Sequence, residues 1–439
     1  MLGYQLRIAA RSLRRDPGHA LIVVAGVALG VAVATLFSAI HHAFARDPVP
    51  EKSGALHYVR LDNWSEHQPH PHDSGLPPQV TYRDAVELLK SDVPTRQTAM
   101  FKTTLNVFPD PARAQPRKET VRLCFADFFP MFQVPFRYGA GWDKNADAGP
   151  APVVVLSHEA NERLFGGQDS VGQPLRIEER EFRVAGVLAQ WPPSIRFYDL
   201  TQNFLAGPEA IFMPLNFLRP MQLRTDGNLD SWMSAATPGF EGFLASEATW
   251  LQFWVELPTA ERVQAYQSFV DAYVGEQKKA GRFRRPLHNR VTPLLGWMHE
   301  QKAVPPETTA MMVVSLLFLA VCALNLMGLL MAKFLARGPE IGVRRALGAR
   351  RLDVFVQHVL ECEVVALAGG VVGFGLAALG IFGVNASAKA TMLRGDLFSL
   401  DLTMAAFAAA ASLAAGLVAG VYPAFRACRV PPAMHLKLQ

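Results

Sequence analysis

Three histidines, His67, His70 and His72, stand close together in HQPHPHD, and imidazoles so grouped can ligate a transition metal. The prolines between them read as a loop, however, and no second group of ligating residues lies nearby, so no metal site is expected. Nucleophilic chemistry finds no better footing. The chain contains no G-x-S-x-G, no H-E-x-x-H and no C-x-x-C, and no catalytic residue is assigned. It also contains no G-x-x-x-x-G-K-[ST], the compact loop whose backbone N–H groups cradle nucleotide phosphates, so these residues do not hydrolyse ATP by that route. No enzyme activity and no bound cofactor are expected of the chain itself. Of the four cysteines, Cys322, Cys362 and Cys428 lie in or beside very apolar runs and Cys124 stands apart, which is not a disulfide framework.

The charged residues with the most informative spacing form EIGVRRALGARR, Glu340 to Arg351, four arginines and two glycines between two strongly apolar runs. The pattern reads as a short basic helix. Glu361 and Glu363 follow within two to three turns. A carboxylate deep in a bilayer costs roughly 2.5–3.5 kcal/mol on insertion scales. An interfacial position answering arginines of the basic segment is therefore preferred to a proton relay.

The elements that hold these residues are membrane helices. Half of the 439 residues are hydrophobic and 18% are charged, against roughly 25% in ordinary soluble domains. Ala20–Ile40, Thr308–Ala332, Val364–Ala388 and Thr403–Phe425 contain no charge. About 20 residues of helix cross the roughly 30 Å hydrocarbon layer, so four spans are expected, at 20–41, 308–332, 354–384 and 402–425. Helix packing is expected at three small-xxx-small pairs, Gly26/Gly30, Gly369/Gly373 and Gly416/Gly420, and Asn325 is expected to bond a neighbouring helix.

The first span resembles a signal peptide, with a basic start and Ala43-Phe44-Ala45 as a cleavage-like site. Its apolar core is too long for one. Before it, Leu2, Leu6, Ala9 and Leu13 recur at helical spacing with Arg7, Arg11 and Arg14 on another face. A retained span led by an interfacial helix over 1–19 is expected.

Basic residues concentrate in three short segments: 1–19, with four arginines against Asp16; 333–353, with Lys333 and five arginines against Glu340 and Asp353; and the tail 426–439, with Arg426, Arg429 and Lys437. They alternate correctly if both termini are cytoplasmic. The net charge of +5 therefore reports membrane orientation, and no nucleic-acid partner is expected. A short loop over 385–401 and the long region 42–307 then lie outside the cytoplasm. Thr81-Tyr82-Arg83-Asp84 opens a short helix with capping-box-like spacing, Ser157 caps another ending near Phe165-Gly166-Gly167, and Val263, Tyr266, Val270 and Tyr273 mark a third. Val121/Leu123/Phe125 and Leu251/Phe253/Val255/Leu257 alternate as strands, Val153–Leu156 is a buried-strand run, and Leu175 and Ile177 face Phe182 and Val184 in a hairpin. The region is expected to be an α+β domain, in two lobes, with 191–249 the least legible part.

Glu340, Ile341, Gly342, Arg344, Arg345, Ala346, Leu347, Gly348 and Ala349, followed by Gln357, Glu361, Gly369 and Gly370, resemble the signature of the MacB/FtsX type of ABC transporter permease. Gly420, Tyr422, Pro423, Ala424, Arg429 and Pro432 resemble the last span and exit of that family. Asp127-Phe128-Phe129, Gly139-Ala140-Gly141-Trp142, Val153–Ser157, Leu164-Phe165-Gly166-Gly167 and Val171-Gly172 occur in the order of its extracytoplasmic domain. Gly338-Pro339 departs from the charged pair usual before the acidic residue, which puts the start of the basic helix at or after Pro339.

The resemblance implies a bacterial inner-membrane protein of α+β class, four transmembrane helices with a large mixed α/β periplasmic domain between helices 1 and 2. It implies a permease subunit whose segment 333–353 is a coupling helix, with Glu340, Ile341, Gly342, Arg344, Arg345, Leu347, Gly348 and Arg350 at the contact. The implied partners are two cytoplasmic P-loop ATPase subunits, which bind the ATP and Mg²⁺, a second identical or sister permease, membrane lipid, and a periplasmic adaptor or outer-membrane protein. ATP-driven motion would pass to the periplasmic domain and export or extract a substrate such as an antibiotic, peptide or lipoprotein. An FtsX-like regulator of a periplasmic cell-wall enzyme is the alternative. The basic face carrying Arg344 and Arg345 is the expected docking surface.

Overall fold

The structure is a computed structural model that describes residues 17–108, 116–149, 151–191, 195–203, 205–390 and 397–429. Most of the expected interfacial helix, the tail beyond 429 with Pro432, and part of the 385–401 loop lie outside the described residues. Helix α1 (Pro17–Ala45) comes first. Strands β1 (Leu56–Arg60), β2 (Val80–Thr81), β3 (Arg96–Phe108), β4 (Arg117–Cys124), β5 (Phe136–Gly139) and β6 (Val153–Leu156) follow, with β7 (Pro174–Ile177), β8 (Arg180–Leu188), β9 (Ile211–Pro214), β10 (Thr249–Glu256) and β11 (Arg290–Pro293) after them. Among the strands lie α2 (Tyr82–Leu88), α3 (Phe128–Met131), α4 (Lys144–Ala148), α5 (His158–Phe165), α6 (Gly239–Leu244), α7 (Ala260–Lys279) and α8 (Leu294–Glu300). The remaining helices are α9 (Pro306–Ala336), α10 (Gly338–Ala346), α11 (Arg351–Ala390) and α12 (Leu402–Ala427). The chain divides into a helical unit, 1–45 with 304–439, and a sheet unit, Arg46–Ala303.

In the sheet unit the strands run in the order β11-β1-β10-β3-β4-β9-β6-β8-β5, with β2 on β10 and β7 bridging β3 and β8. Pairs β4/β9 and β6/β8 are parallel and the others antiparallel. The long β3 joins the two halves. Its first part, Arg96–Met100, pairs with β10, and its second, Phe101–Val107, with β4. The two lobes expected from sequence thus share one continuous ladder. The hairpin forms as its alternation requires, with Leu175 opposite Phe182 and the φ of Glu178 at 50° in the turn. Thr81 accepts from the Asp84 N–H to start α2, and Ser157 accepts from the Ala160 N–H to start α5. Gly166 ends α5 at φ 67°, a left-handed position that suits glycine.

The strand alternation misleads in one respect. All eight residues of β10 and the last four of β4 are buried, because the sheet is covered on both faces there. The polar phase of each strand therefore points into the protein. Tyr58 stacks on Trp297 with centroids 4.1 Å apart and meets the edge of Trp254 at 5.0 Å. Helix α7 lays Tyr266, Val270 and Val274 on the core.

In the helical unit α1, α9, α11 and α12 are each long and apolar enough to cross a membrane. They pack through a buried seam that includes Val27, Val31, Leu319, Leu326, Val365 and Ala419. Helix α11 has 40 residues, about 60 Å of helix, so it extends well beyond a hydrocarbon layer of roughly 30 Å.

Candidate functional site

Arg337 separates α9 from α10, with Pro339 in the first turn of the new helix, where a missing N–H costs nothing. The expected start at or after Pro339 moves one residue earlier, to Gly338. One side of α10 is fastened to the helical unit. Ile341 is 5% exposed and joins the core that holds Phe334 and Val354. Arg345 Nη1 donates to the Cys428 carbonyl at 3.2 Å, just past α12, where helix carbonyls lack intrahelical partners. The other side is open. Glu340 is exposed, Val343 is 53% exposed and Leu347 83%. Gly348, at φ 101°, turns the chain so that exposed Arg350 can lead into α11. A Cβ on Gly342 would meet nothing within 4 Å, so this glycine serves no close approach inside the chain.

Arg345 is a fastening residue, the side chain of Arg344 lies outside the described part, and the open side offers Val343 and Leu347 between Glu340 and Arg350. Val343 was not singled out in the sequence. Its signal was there, because it lies four residues before Leu347 and so on the same helical face.

The structure separates Glu361 from Glu363. Glu361, its side chain 4% exposed, lies 2.6 Å from Lys333 Nζ and 3.6 Å from Arg337 Nη1. These two partners belong to the end of α9 and its junction with α10. Glu363 lies two residues on, about 200° round the helix. Both of its carboxylate oxygens are buried without a hydrogen-bond partner among the described residues, beside Gly416, where a Cβ would come within 2.9 Å of Oε1. The two acids thus meet different surroundings: Glu361 answers Lys333 and Arg337 of the basic segment 333–353, and Glu363 finds no hydrogen-bond partner among the described residues.

All three glycine pairs are used inside the chain. Gly26 and Gly30 face Leu326, Leu319 and Cys322 of α9. Gly369 and Gly373 face Val27, Val31 and the backbone of α1, and Gly416 and Gly420 face Ala366 and Cys362 of α11. Asn325 is exposed on α9 and bonds no neighbouring helix of this chain among the described residues.

In the sheet unit His70 and His72 stay together, with ring centroids 6.5 Å apart, and the three histidines turn to different partners. His67 is exposed near Glu66, His70 lies 3.5 Å from Asp230, and His72 bonds Gln301 at 2.7 Å. Burial pushes the His72 imidazole below its ordinary pKa. No group of three or more potential ligands among the described residues could hold a metal. A buried ionic cluster missed in the sequence lies instead on β4. Arg122 donates to Asp199 at 2.7 Å and to Glu209, which also takes Arg196 at 3.0 Å and the Tyr198 hydroxyl at 2.9 Å. Burial opposes the charge on Glu209, yet the Arg122 and Arg196 guanidiniums hold its pKa down to about 2. Arg122 stands between Val121 and Leu123 on the strand's polar phase, and sequence alone reads that phase as solvent.

Two family models match the chain, the MacB-like periplasmic core domain over residues 20–272 and the FtsX-like permease C-terminal over 312–432. A macrolide export ATP-binding/permease protein MacB of Rhodospirillum rubrum is 25% identical over all of this chain and 60% of its own length. Another, of Syntrophobacter fumaroxidans, is 30% identical over 71% of this chain and 46% of its own. The pyoverdine export ATP-binding/permease protein PvdT of Pseudomonas aeruginosa is 26% identical over 71% and 41%. The chain thus spans about two-fifths to three-fifths of the curated relatives it matches. Among solved structures, the periplasmic region of MacB from Actinobacillus actinomycetemcomitans is similar at 12% identity and a TM-score of 0.33, over 52% of this chain and 86% of that one. The extracellular domain of the ABC-type transporter YknZ from Gram-positive bacteria is similar at 11% and 0.35, over 54% and 99%. At those scores the assignment rests on the two family models, whose matches together reach most of the sheet unit and parts of all four long helices: the chain belongs to the MacB/FtsX family of ABC transporter permeases.

Proposed function

We propose that the chain is the membrane and periplasmic part of an exporter, driven by ATP hydrolysis at nucleotide-binding subunits outside these 439 residues. The observation that carries this is the form of α10: a short helix fastened behind by Ile341 and Arg345, presenting Leu347 and Val343 outward at the joint between two long helices. An exposed leucine on a fixed helix is an anchor for a pocket on a partner, and the flanking charges set register. ATP and Mg²⁺ bind at that partner. A push on α10 is carried into α9 and α11, which the buried Lys333–Glu361 pair ties together. Both long helices are stiff enough to move the periplasmic domain without a polar pore through the spans. The termini face the cytoplasm in this reading. A second permease subunit packs on the outer face of α9, where Asn325 supplies a hydrogen-bonding group that the described residues of its own chain leave unused. The named exports of the relatives, macrolides and pyoverdine, support a small-molecule cargo.

The test is purification of the full chain from native membranes in mild detergent. A P-loop ATPase should be recovered with it. Leu347→Asp should abolish recovery while leaving the fold intact, and Arg345→Ala should instead loosen the helical unit. Undiminished recovery with Leu347→Asp would sink the assignment of this helix.

A further inference from the structure

The segment 228–238 of the sheet unit carries apolar side chains that the unit leaves uncovered. Leu229 is 45% exposed, Trp232 36% and Met233 45%. The segment is nevertheless firmly held. Asp230 and Thr249 exchange backbone hydrogen bonds of 3.1 and 2.8 Å. Trp232 Nε1 donates to the Asn63 carbonyl at 2.9 Å, and Asn228 Nδ2 donates to Gln79 Oε1 at 3.1 Å. Uncovered apolar groups on a braced segment can bind a ligand at little ordering cost.

Trp232, Met233 and Ser234 stand between two clefts of about 930 and 250 Å³. The larger is open and of a size usual for small-molecule sites. Among the described residues the two clefts are lined by four arginines, Arg83, Arg224, Arg282 and Arg284, and a single carboxylate, Glu247. Three of these arginines already have acids: Arg83 and Arg282 have Glu247, and Arg284 has Glu66. Arg224 forms no ion pair among the described residues. Its guanidinium lies 5.2 Å from the Phe243 ring centroid, at the edge of the apolar surface. A fork of N–H donors beside an aromatic floor, with no acid lining the larger cleft, complements a planar anion joined to an apolar body.

We propose that this surface binds a small, soluble amphipathic carboxylate, with its aromatic or apolar body on Trp232, Met233 and Phe243 and its carboxylate on Arg224. As the identity of a cargo this rests on the exporter reading; as a binding site it does not. The test therefore uses no ATPase and no nucleotide, so a failure of docking at α10 leaves it untouched.

The full chain in zwitterionic lipid nanodiscs is titrated with dansylglycine, a naphthalene carrying a carboxylate, and dansyl emission excited through tryptophan is read. Saturable binding is expected. Arg224→Ala should weaken it about tenfold or more, the loss expected for one charge-assisted contact, and Arg224→Lys should keep part of the affinity. Trp232→Phe should keep the affinity while lowering the transferred emission, which places the probe beside Trp232. Dansylcadaverine, with the same rings on an ammonium, should bind at least tenfold more weakly. Absence of saturable binding, equal affinity for the ammonium probe, or unchanged affinity in Arg224→Ala with a normal unfolding transition would each overturn the proposal.

Discussion

Gly373 of α11 lies so close to α1 that a Cβ there would stand 2.7 Å from the Ala28 carbonyl oxygen, whereas in the sheet unit Tyr58 is packed between Trp254 and Trp297. The first contact is made by taking side chain away and the second by supplying the largest ones. The solvent explains the difference. Lipid tails are as apolar as leucine, so membrane helices gain little by covering each other and must approach closely for dispersion to hold them. In water, every buried aromatic ring adds a large apolar area removed from solvent. Charge follows the same division. The helical unit sets a half-buried lysine and arginine against the buried Glu361, while the sheet unit encloses a network of Arg122, Arg196, Asp199 and Glu209 satisfied partly by Tyr198 and Gln252.

All seven tryptophans lie in the sheet unit, so tryptophan emission reports on that unit alone. The largest effect is expected from Arg122→Ala. It leaves Asp199 and Glu209 buried without their shared cation and should destabilise the sheet unit by about 3–5 kcal/mol. Denaturant unfolding followed by tryptophan emission measures this, and a loss below about 1 kcal/mol would show the cluster to be dispensable.

The next effect is of acid. Glu209 has a folded pKa of about 2 against an ordinary 4.5, so its contribution is fully present above pH 4.5 and is lost as pH falls towards 2. The loss is on the order of 3 kcal/mol. Glu209→Gln, although less stable throughout, should show a flatter dependence over that window, and an unchanged slope would contradict the assigned cause.

The smallest effect sharpens the contrast from the other side. Gly373→Ala should cost the helical unit roughly 1–3 kcal/mol through overpacking, with no change in the tryptophan transition. Gly375→Ala, two residues on and facing open space, should be neutral or slightly stabilising. Unfolding in mixed micelles followed by far-ultraviolet circular dichroism separates the two. Equal effects would mean that close approach to α1 does not set the packing.

Much of the architecture could be read beforehand. Uncharged runs longer than a bilayer is thick have one stable form, so the four long helices were legible, and capping at Thr81 and Ser157 follows from side-chain chemistry within one turn. The candidate site was legible only in outline. Arg345 reads as one more docking cation until the end of α12, 83 residues away in sequence, supplies the carbonyl that turns it inward. Arg122 reads as a solvent-facing strand residue until both faces of the sheet are covered. Glu361 and Glu363 look like a pair in the sequence, and helical rotation splits them.

The sequence by itself determined the four membrane helices, the mixed domain between the first two, and the short basic helix at the joint, because each depends on local periodicity, charge and length. Only the tertiary structure decided which side of α10 is open, where the glycines make contact, which charges are buried together, and that Arg224 and the uncovered Trp232 line one cleft. Those depend on which distant segment fills the space beside a side chain, and periodicity along the chain carries no record of that.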